Sequence, residues 1–336
     1  MLSLRLSVIS VCLAAVNVLS ASIRKDSVTK ASLPKSFEWS SSGPLISPKN
    51  DNYDLAGIKD PSIVEVDGVY HVFASTAKEA GYHLVYLSFT DFNDANSATF
   101  HYLDQGPIGT GYPVVWYLVY QNGNAAYSTN SDISNPDGWS APKNFFDSMP
   151  SIISENIGNR NWVDMWTIRD SSDCYLFPSD DNGLRSRSQT SPGSFPNTMG
   201  NTVIALQGTN AYALFEVSNV YSTGDGEYLL LVEAIGRDSA RYFRSWTSTS
   251  LSGTWTSLAD TEANPFAQSN NAKFSAPAWT KSISHGEMVR TNVDKTMAIT
   301  PCNLCYLYQG VDPNASGDYN AMPWKLGLLT QANSAC

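Results

Sequence analysis

The chain has 336 residues, a formal net charge of −10 and no run of lysine or arginine. An acidic chain without a basic patch is not expected to bind nucleic acid or an anionic membrane, and no segment after residue 20 is long enough to span a bilayer. Its 9 tryptophans and 17 tyrosines suit β-strands and the faces of neutral sugars, so composition favours an uncharged ligand.

The first 20 residues have the pattern of a secretory signal peptide. Arg5 precedes an apolar run that ends at Leu19 and is too short to cross a membrane well. We therefore expect a secreted, extracellular protein with a short N-terminal segment at residues 21–32. No linker rich in proline, serine or glycine interrupts residues 33–336, so these residues are predicted to form a single domain.

The cysteines of the exported part indicate disulfide bonding. One or two disulfide bonds are expected in an oxidising compartment, with three connectivities if all four cysteines pair. The spacing of Cys302 and Cys305 resembles half of a zinc site, but the sequence has no second such pair, so zinc is not expected. The four cysteines after the signal peptide are Cys174, Cys302, Cys305 and Cys336.

Short β-rich runs fill the rest of the chain, and no long segment has the apolar period of a helix. One strand type recurs five times, at intervals of 47 to 78 residues. That spacing is typical of four-stranded propeller blades, whereas a two-sheet sandwich predicts no such period. The repeated strands begin at Tyr70, Tyr117, Tyr175, Tyr228 and Tyr306.

The sequence therefore predicts an all-β fold, a five-bladed β-propeller. The chain after the fifth repeat is short, so the N-terminal segment Phe37-Glu-Trp39 is expected to complete the last blade and close the ring. In blade two, only Pro113-Val-Val115 separates Tyr112 from Trp116, where the other blades have room for a whole strand. Blade two is therefore predicted to be truncated and to lack its innermost strand.

Three acidic residues stand at similar places in three of the predicted hairpins. Asp60, Asp164 and Glu216 precede the tyrosine of the following strand by 10, 11 and 12 residues. Because the first strands of all blades line the central channel in the same direction, we expect these side chains to meet at one mouth of the channel. Each has a simpler interpretation as a turn former or a strand-end acid, but the matched positions favour a shared site.

A carboxylate cluster over a pocket suits glycoside hydrolysis. One acid protonates the leaving oxygen while another activates water or attacks the anomeric carbon, and a third carboxylate raises the pKa of the acid by repulsion. Glu233, Glu262 and Glu287 are rivals for these roles. Glu233 ends a second strand rather than opening a first one, which predicts that it points away from the channel mouth.

Long motifs at these residues resemble family 62 of the glycoside hydrolases, the α-L-arabinofuranosidases that act on arabinoxylan. The resemblance runs from about Leu33 to Gln331. The matching motifs are Gly57-Ile-Lys-Asp-Pro61, Trp162-Val-Asp-Met-Trp166, Phe215-Glu-Val-Ser-Asn-Val-Tyr221, Val232-Glu-Ala-Ile-Gly236, Arg241-Tyr-Phe-Arg-Ser-Trp246, Ser284-His-Gly-Glu-Met288 and Gly317-Asp-Tyr-Asn-Ala-Met-Pro-Trp324.

The resemblance implies a five-bladed catalytic domain that removes arabinofuranosyl side groups from arabinoxylan or arabinoxylo-oligosaccharides with inversion. By the pattern of the family, Asp60 is the general base on water, Glu216 is the general acid, and Asp164 tunes and orients that acid. Inversion requires the base and the acid to stand roughly 6.5–9.5 Å apart. A monomer is expected.

The resemblance also assigns binding residues. Lys59 is expected to hydrogen-bond a sugar hydroxyl, and Tyr319 and Asn320 to hold the xylan backbone at the rim. No cofactor is required, although a structural calcium ion is implied at His285. A lone histidine is more often a core residue, and calcium prefers oxygen ligands.

Two other functions fit parts of the pattern. One is a non-catalytic or inactive carbohydrate-binding propeller, which needs aromatic and hydroxyl groups rather than three acids in matched positions. The other is a related propeller hydrolase that acts on arabinan or xylo-oligosaccharides, from which only the shape of the pocket would distinguish this chain.

Overall fold

The computed structural model describes residues 32–79, 81–103, 116–208, 210–275, 277–290 and 293–334. The predicted signal peptide, most of the segment 21–32, Cys336 and the motif Pro113-Val-Val115 lie outside these residues. None of the helices in the described ranges is long and apolar enough to cross a membrane.

Five sheets form the blades of a five-bladed β-propeller, as the sequence predicts. Blade one comprises β2 (Gly57–Val66), β3 (Val69–Lys78), β4 (Gly81–Phe89) and β5 (His101–Tyr102). Blade two comprises β6 (Trp116–Gln121), β7 (Ala125–Asn130) and β8 (Lys143–Asn144). Blade three comprises β9 (Val163–Arg169), β10 (Cys174–Ser179), β11 (Leu184–Thr190) and β12 (Gly200–Gln207). Blade four comprises β13 (Glu216–Gly224), β14 (Glu227–Ile235), β15 (Arg241–Ser248) and β16 (Thr256–Ser257).

Blade five takes strands from both ends of the described chain. It contains β20 (Ser284–Met288), β21 (Cys305–Gly310), β22 (Lys325–Gln331), β1 (Trp39–Ser41) and β19 (Ala272–Phe274). Strand β1 pairs antiparallel with β22 and parallel with β19, so the prediction that the segment ending at Trp39 closes the ring is confirmed.

The remaining elements are short. A two-stranded sheet pairs β17 (Asp260–Thr261) with β18 (Asn264–Pro265). The one α-helix in the described ranges is α1 (Ser151–Ser154), and 3-10 turns occupy Phe92–Ser97, Pro136–Gly138, Ala211–Ala213 and Tyr319–Ala321.

Each pair of neighbouring blades encloses its own hydrophobic cluster. Counting described residues only, the cluster between blades four and five has 16 buried residues, whereas the cluster between blades one and two has four. The five predicted tyrosine strands are β3, β6, β10, β14 and β21. In blades one, three, four and five, this strand pairs with the innermost strand of the blade. In blade two, it is the first described strand. The packing therefore follows the repeat that the sequence predicts.

A bulge interrupts the innermost strand of four blades. After Lys59, β2 advances three residues while its partner β3 advances two, so β2 contains one extra residue. Strands β9, β13 and β20 each contain such an extra residue relative to their partner strands. A bulge locally re-aims side chains. Asp60, Asp164 and Val217 occupy these bulges with φ of 51°, 53° and 59°, a region that non-glycine residues rarely adopt.

Candidate active site

The bulges bring side chains from blades one, three and four to the ring of His285 in blade five. Asp60 Oδ1 and Glu216 Oε2 lie 3.9 and 3.7 Å from His285 Nδ1, and Asp164 Oδ1 lies 3.2 Å from Nε2. The expectation that the three acids converge from distant parts of the chain is met. Their side chains keep 26%, 19% and 19% of their exposure, so a ligand can reach all three from solvent.

The acids do not share one position relative to the bulge. Asp60 and Asp164 are themselves the bulged residues, whereas Glu216 stands one residue before the bulge that Val217 occupies. In this register Glu216 is equivalent to Lys59 in blade one. The bulged position therefore carries an acid in blades one and three, and the position before it carries Lys59 in blade one and Glu216 in blade four.

Glu216 has the properties of a proton donor. Burial raises the pKa of Glu216 to about 7, Asp164 and Glu233 add to the rise, and His285 and Arg241 oppose it. Burial is the largest cause, and the two neighbouring carboxylates raise the pKa further, in the direction expected from the sequence. Arg241 Nη1 lies 2.9 Å from Glu216 Oε2 and fixes the orientation of the carboxyl group.

Glu233 belongs to the same site, which corrects the prediction that it points away from the channel mouth. It is fully buried and pairs directly with Glu216 across β13 and β14. Its carboxylate contacts Arg241 Nη1 at 2.5 Å and His285 Nδ1 at 3.0 Å, and it accepts hydrogen bonds from the hydroxyl of Ser284. Burial alone would raise the pKa of Glu233, but Arg241 and His285 lower it to about 2.

Asp164 is ionised and rigidly held. Burial alone would raise its pKa, but the charge and hydrogen bond of His285 and the amide of Val217 lower it to about 2. The Val217 N–H donates to Asp164 Oδ2 at 3.1 Å. Because Val217 follows Glu216, this bond fixes the backbone that carries the acid.

Similar bonds link the other blades. The amide of His285 donates to Glu233 at 2.7 Å, and the amide of Asp60 donates to the side-chain oxygen of Gln309. In each case a side chain of one blade accepts an N–H from the bulge of a neighbouring blade. These bonds join blades three to four, four to five and five to one, and they set the positions of the three acids relative to each other.

A second group of ionisable residues, Arg185, Asp180 and Asp181, belongs to blade three and lies next to Glu216 of blade four. Arg185 is 1% exposed and donates to the Glu216 carbonyl at 3.0 Å. Burial lowers the pKa of Arg185 to about 10 although Asp180 opposes the shift, and burial raises the pKa values of Asp180 and Asp181 to about 7 and about 6. Arg185 was not predicted from the sequence, because no local motif marks an arginine whose partner lies on another blade.

Lys59 is not a surface lysine. It is 6% exposed, and its Nζ lies 3.2 Å from Asp60 Oδ2 and 4.9 Å from the ring centre of Tyr319. Burial would lower the pKa of Lys59, but Asp60, Tyr319 and Tyr82 raise it above its ordinary value. The ammonium group therefore stays charged beside Asp60, where it can donate hydrogen bonds to a ligand.

Tyr319 and Asn320 lie at the rim, as the resemblance implies. They form a 3-10 turn whose cap is Asp318, and Tyr319 is 40% exposed. The amide of Asn320 donates to Asp318 Oδ1 at 2.8 Å, and its side-chain oxygen accepts from the hydroxyl of Tyr82. Tyr82 was not identified from the sequence.

The residues around His285 fit a calcium ion poorly. Glu216, Glu233 and His285 bring three donor atoms within 4.8 Å of one another. However, Arg241 Nη1 already places a positive charge against both carboxylates. Burial would lower the pKa of His285, but Asp164, Glu233 and Asp60 raise it well above its usual value, whereas a metal ligand must give up its proton. Calcium binding stays a prediction from the resemblance.

Cys174 is a buried free thiol. The disulfide bonding expected for the other cysteines stays a prediction, and Cys336 lies outside the described residues.

Comparisons with known proteins show the family of the chain. The model of "Glycosyl hydrolase family 62" matches residues 38–330. Alpha-L-arabinofuranosidase C of Cellvibrio japonicus is 43% identical over 305 residues, which are 87% of this chain and 47% of that protein. The chain thus spans about half the length of this curated relative.

Solved structures cover the chain more completely. The catalytic domain of an α-L-arabinofuranosidase of this family from Coprinopsis cinerea is 62% identical, with a TM-score of 0.87, and covers 90% of this chain and 100% of its own. An α-L-arabinofuranosidase of Podospora anserina in complex with cellotriose is 57% identical, with a TM-score of 0.87, and covers 90% and 99%. A hydrolase of this family in complex with xylotriose is 53% identical, with a TM-score of 0.84, and covers 88% and 98%.

Proposed function

Because the chain belongs to glycosyl hydrolase family 62, we propose that it is an α-L-arabinofuranosidase that releases arabinofuranosyl side groups from arabinoxylan. The names of its relatives support the activity, and the xylotriose complex of one relative supports a xylan-type substrate. One observation carries the proposal. Asp60 and the raised-pKa acid Glu216 come from different blades, lie 3.9 and 3.7 Å from His285 Nδ1, and keep 26% and 19% of their side-chain exposure.

In the proposed reaction, Glu216 donates its proton to the glycosidic oxygen as the bond to the arabinofuranosyl group breaks. Asp60 accepts a proton from the water that attacks the anomeric carbon. Glu216 suits the donor role because a pKa of about 7 keeps much of the group protonated in mildly acidic solution. The ring of His285, which contacts Asp164 and Glu233, and the ammonium of Lys59, which contacts Asp60, hold the surrounding carboxylates in place.

Inversion is part of the proposal. Asp60 Oδ1 and Glu216 Oε2 lie 3.9 and 3.7 Å from the same nitrogen, so their separation cannot exceed the sum of these distances. That limit admits both the roughly 6.5–9.5 Å of inverting enzymes and the roughly 5–5.5 Å of retaining ones, so the proposal of inversion rests on the resemblance. Proton NMR of the first product would test it, since an inverting enzyme releases the β-anomer first and a retaining enzyme the α-anomer.

The proposal includes secretion through the predicted signal peptide, disulfide bonding among the remaining cysteines, and a monomeric state. The acidic charge and the absence of lysine or arginine runs support a neutral polysaccharide as the partner rather than nucleic acid or an anionic membrane.

The test is incubation of the purified protein with wheat arabinoxylan, with released arabinose and xylose measured separately. We expect arabinose and no xylose from the wild type. Glu216→Gln should lower the rate of arabinose release by about 10²–10⁴-fold, because the amide cannot donate a proton to the leaving oxygen. Asp137→Asn, an exposed acid of blade two, is the control and should leave the rate unchanged.

Binding of the polysaccharide without arabinose release would favour the carbohydrate-binding alternative. Release from arabinan but not from arabinoxylan would favour the related hydrolase. Unchanged arabinose release by Glu216→Gln, with the fold intact by circular dichroism, would remove Glu216 from the acid role.

A further inference from the structure

Tyr82 presents an aromatic ring to solvent beside Lys59, the residue that contacts the proposed base. It is the second residue of β4 and is 46% exposed, whereas Tyr86, four residues later on the same strand, is 2% exposed. The exposed fraction of Tyr82 leaves part of its ring accessible to a ligand.

Two contacts hold the side chain of Tyr82 in place. The Nζ of Lys59 lies 4.6 Å from the centre of the ring, and the hydroxyl donates a hydrogen bond to Asn320 Oδ1. Asn320 is itself fixed by the bond from its amide to Asp318. Because contacts at the ring and at the hydroxyl already fix the side chain, a ligand that stacks on the ring pays little free energy to order the side chain.

Tyr82 and Tyr319 form a pair around one ammonium group. Their ring centres lie 4.6 and 4.9 Å from Lys59 Nζ, which contacts Asp60 at 3.2 Å. The two rings come from blades one and five, and both are exposed. Two aromatic rings beside a charged group can bind a ligand that has apolar faces and polar edges. A neutral sugar has both.

The support beneath this pair is rigid. Gly57 lies so close to the segment after Tyr319 that a Cβ atom would come within 2.6 Å of the Met322 carbonyl oxygen. The amide of Ile58 donates to the Trp324 carbonyl at 3.0 Å. The rim segment of blade five is thus fixed against the first strand of blade one, and the distance between the two rings is set by the fold.

We infer that Tyr82 forms a second sugar-binding platform, which stacks on a backbone sugar adjacent to the one at Tyr319. This inference rests on the proposed function, because it takes the backbone of a xylan-type polymer as the ligand. The platform extends the site beyond the sugar at the scissile bond. It gives preference to polymers and oligosaccharides over small arabinofuranosides, whose leaving group is too short to reach Tyr82.

Calorimetric titration with xylotriose tests the platform without any catalytic step. We expect Tyr82→Ala to raise the Kd of xylotriose roughly tenfold, a loss similar to that of one stacked aromatic ring in grooves that bind single-stranded nucleic acid. Tyr82→Phe keeps the ring and loses only the bond to Asn320, so its Kd should stay within about threefold of the wild type. Tyr117→Ala removes an exposed tyrosine of blade two and is the matched control.

A Kd for Tyr82→Ala within twofold of the wild type would overturn the inference. Equal losses in Tyr82→Phe and Tyr82→Ala would overturn stacking, because the hydroxyl alone would then explain the binding. Thermal unfolding of every variant shows whether a loss comes from misfolding, and Tyr82→Phe keeps the test valid if Tyr82→Ala does not fold.

A kinetic measurement separates this inference from the proposed function. The ratio of kcat/KM for arabinoxylan to kcat/KM for 4-nitrophenyl α-L-arabinofuranoside should fall about tenfold in Tyr82→Ala. An unchanged ratio contradicts the platform. If the wild type hydrolyses neither substrate, the proposed function fails, and the xylotriose titration still decides the role of Tyr82.

Discussion

Blades four and two are built from the same repeat but are packed very differently. The second strand of blade four, β14, is buried along almost its whole length, whereas every residue of β6 in blade two is half-buried or exposed. Among the residues that the structure describes, 16 buried hydrophobic residues join blade four to blade five, and four join blade one to blade two. The described part of blade two has three strands, and the predicted deletion before Trp116 lies outside the described residues.

The candidate site does not include described residues of blade two, the blade with the fewest described strands. The acids, Arg241, His285 and Gln309 come from blades one, three, four and five. The three bonds from bulge amides to side chains run from blade three through four and five to blade one, and their partners all lie outside residues 116–144. A reduced blade two is therefore compatible with an intact site.

Glu233→Ala is the strongest test of this contrast. The substitution leaves the amide of His285 without its acceptor and Arg241 without the closer of its two carboxylates, so we expect the free energy of unfolding to fall by about 3–5 kcal/mol. Asp132→Ala in blade two removes an exposed acid and should cost under about 1 kcal/mol. Urea unfolding of both variants measures the two effects, and similar costs would show that the blades contribute equally.

A matched pair of core substitutions comes next in size. Leu229 follows Tyr228 in β14 and is 0% exposed, and Leu118 follows Tyr117 at the equivalent position of β6 and is half-buried. Leu229→Ala should lower the free energy of unfolding by about 3–4 kcal/mol and Leu118→Ala by about 1 kcal/mol. Equal losses in chemical denaturation would mean that blade two is as well packed as blade four.

The smallest predicted effect concerns pH. Burial raises the pKa of Asp180 in the folded chain to about 7, against about 3.9 in an unfolded chain. As the pH falls from 8 to 5, the folded chain takes up a proton that the unfolded chain does not, so the free energy of unfolding rises. In Asp180→Asn this rise should be smaller, by on the order of 1–2 kcal/mol.

The pKa of Asp132 in blade two is shifted in the opposite direction from that of Asp180. Hydrogen bonds from Ser134 lower its pKa, so any stability that it contributes is lost only when the pH falls below its usual range of titration. Asp132→Asn should therefore leave the change in stability between pH 8 and pH 5 as it is in the wild type. Thermal melts across this range distinguish the two variants, and an unaltered pH slope in Asp180→Asn would contradict a raised pKa for the buried carboxyl group.

The fold was predictable because the repeat is local. A tyrosine at the head of each paired strand recurs at blade-sized intervals, and a short chain after Tyr306 leaves room for the segment at Trp39 in the last blade. Neither observation requires knowledge of which blades touch.

The site was only partly predictable, because bulges alter the register of the hairpins. Counting back from the turn at Gly224 and Glu227 would place Ile235 opposite Glu216. Two irregularities in β13 shift the partner to Glu233 instead, and such bulges have no clear signature in the sequence. Arg185 and Gln309 were missed for a different reason, since each acts on a residue of a neighbouring blade.

The antiparallel pairing of β1 with β22 has a consequence for the order of assembly. The segment at Trp39 leaves the ribosome before the blades exist, yet its partner at Gln331 is made almost 300 residues later. During synthesis the ring must therefore remain open until the end. Asn333 bonds to Ser36 and Glu38, so a short peptide could join these neighbouring ends, and a circularly permuted gene with new termini between two blades should still yield a closed ring.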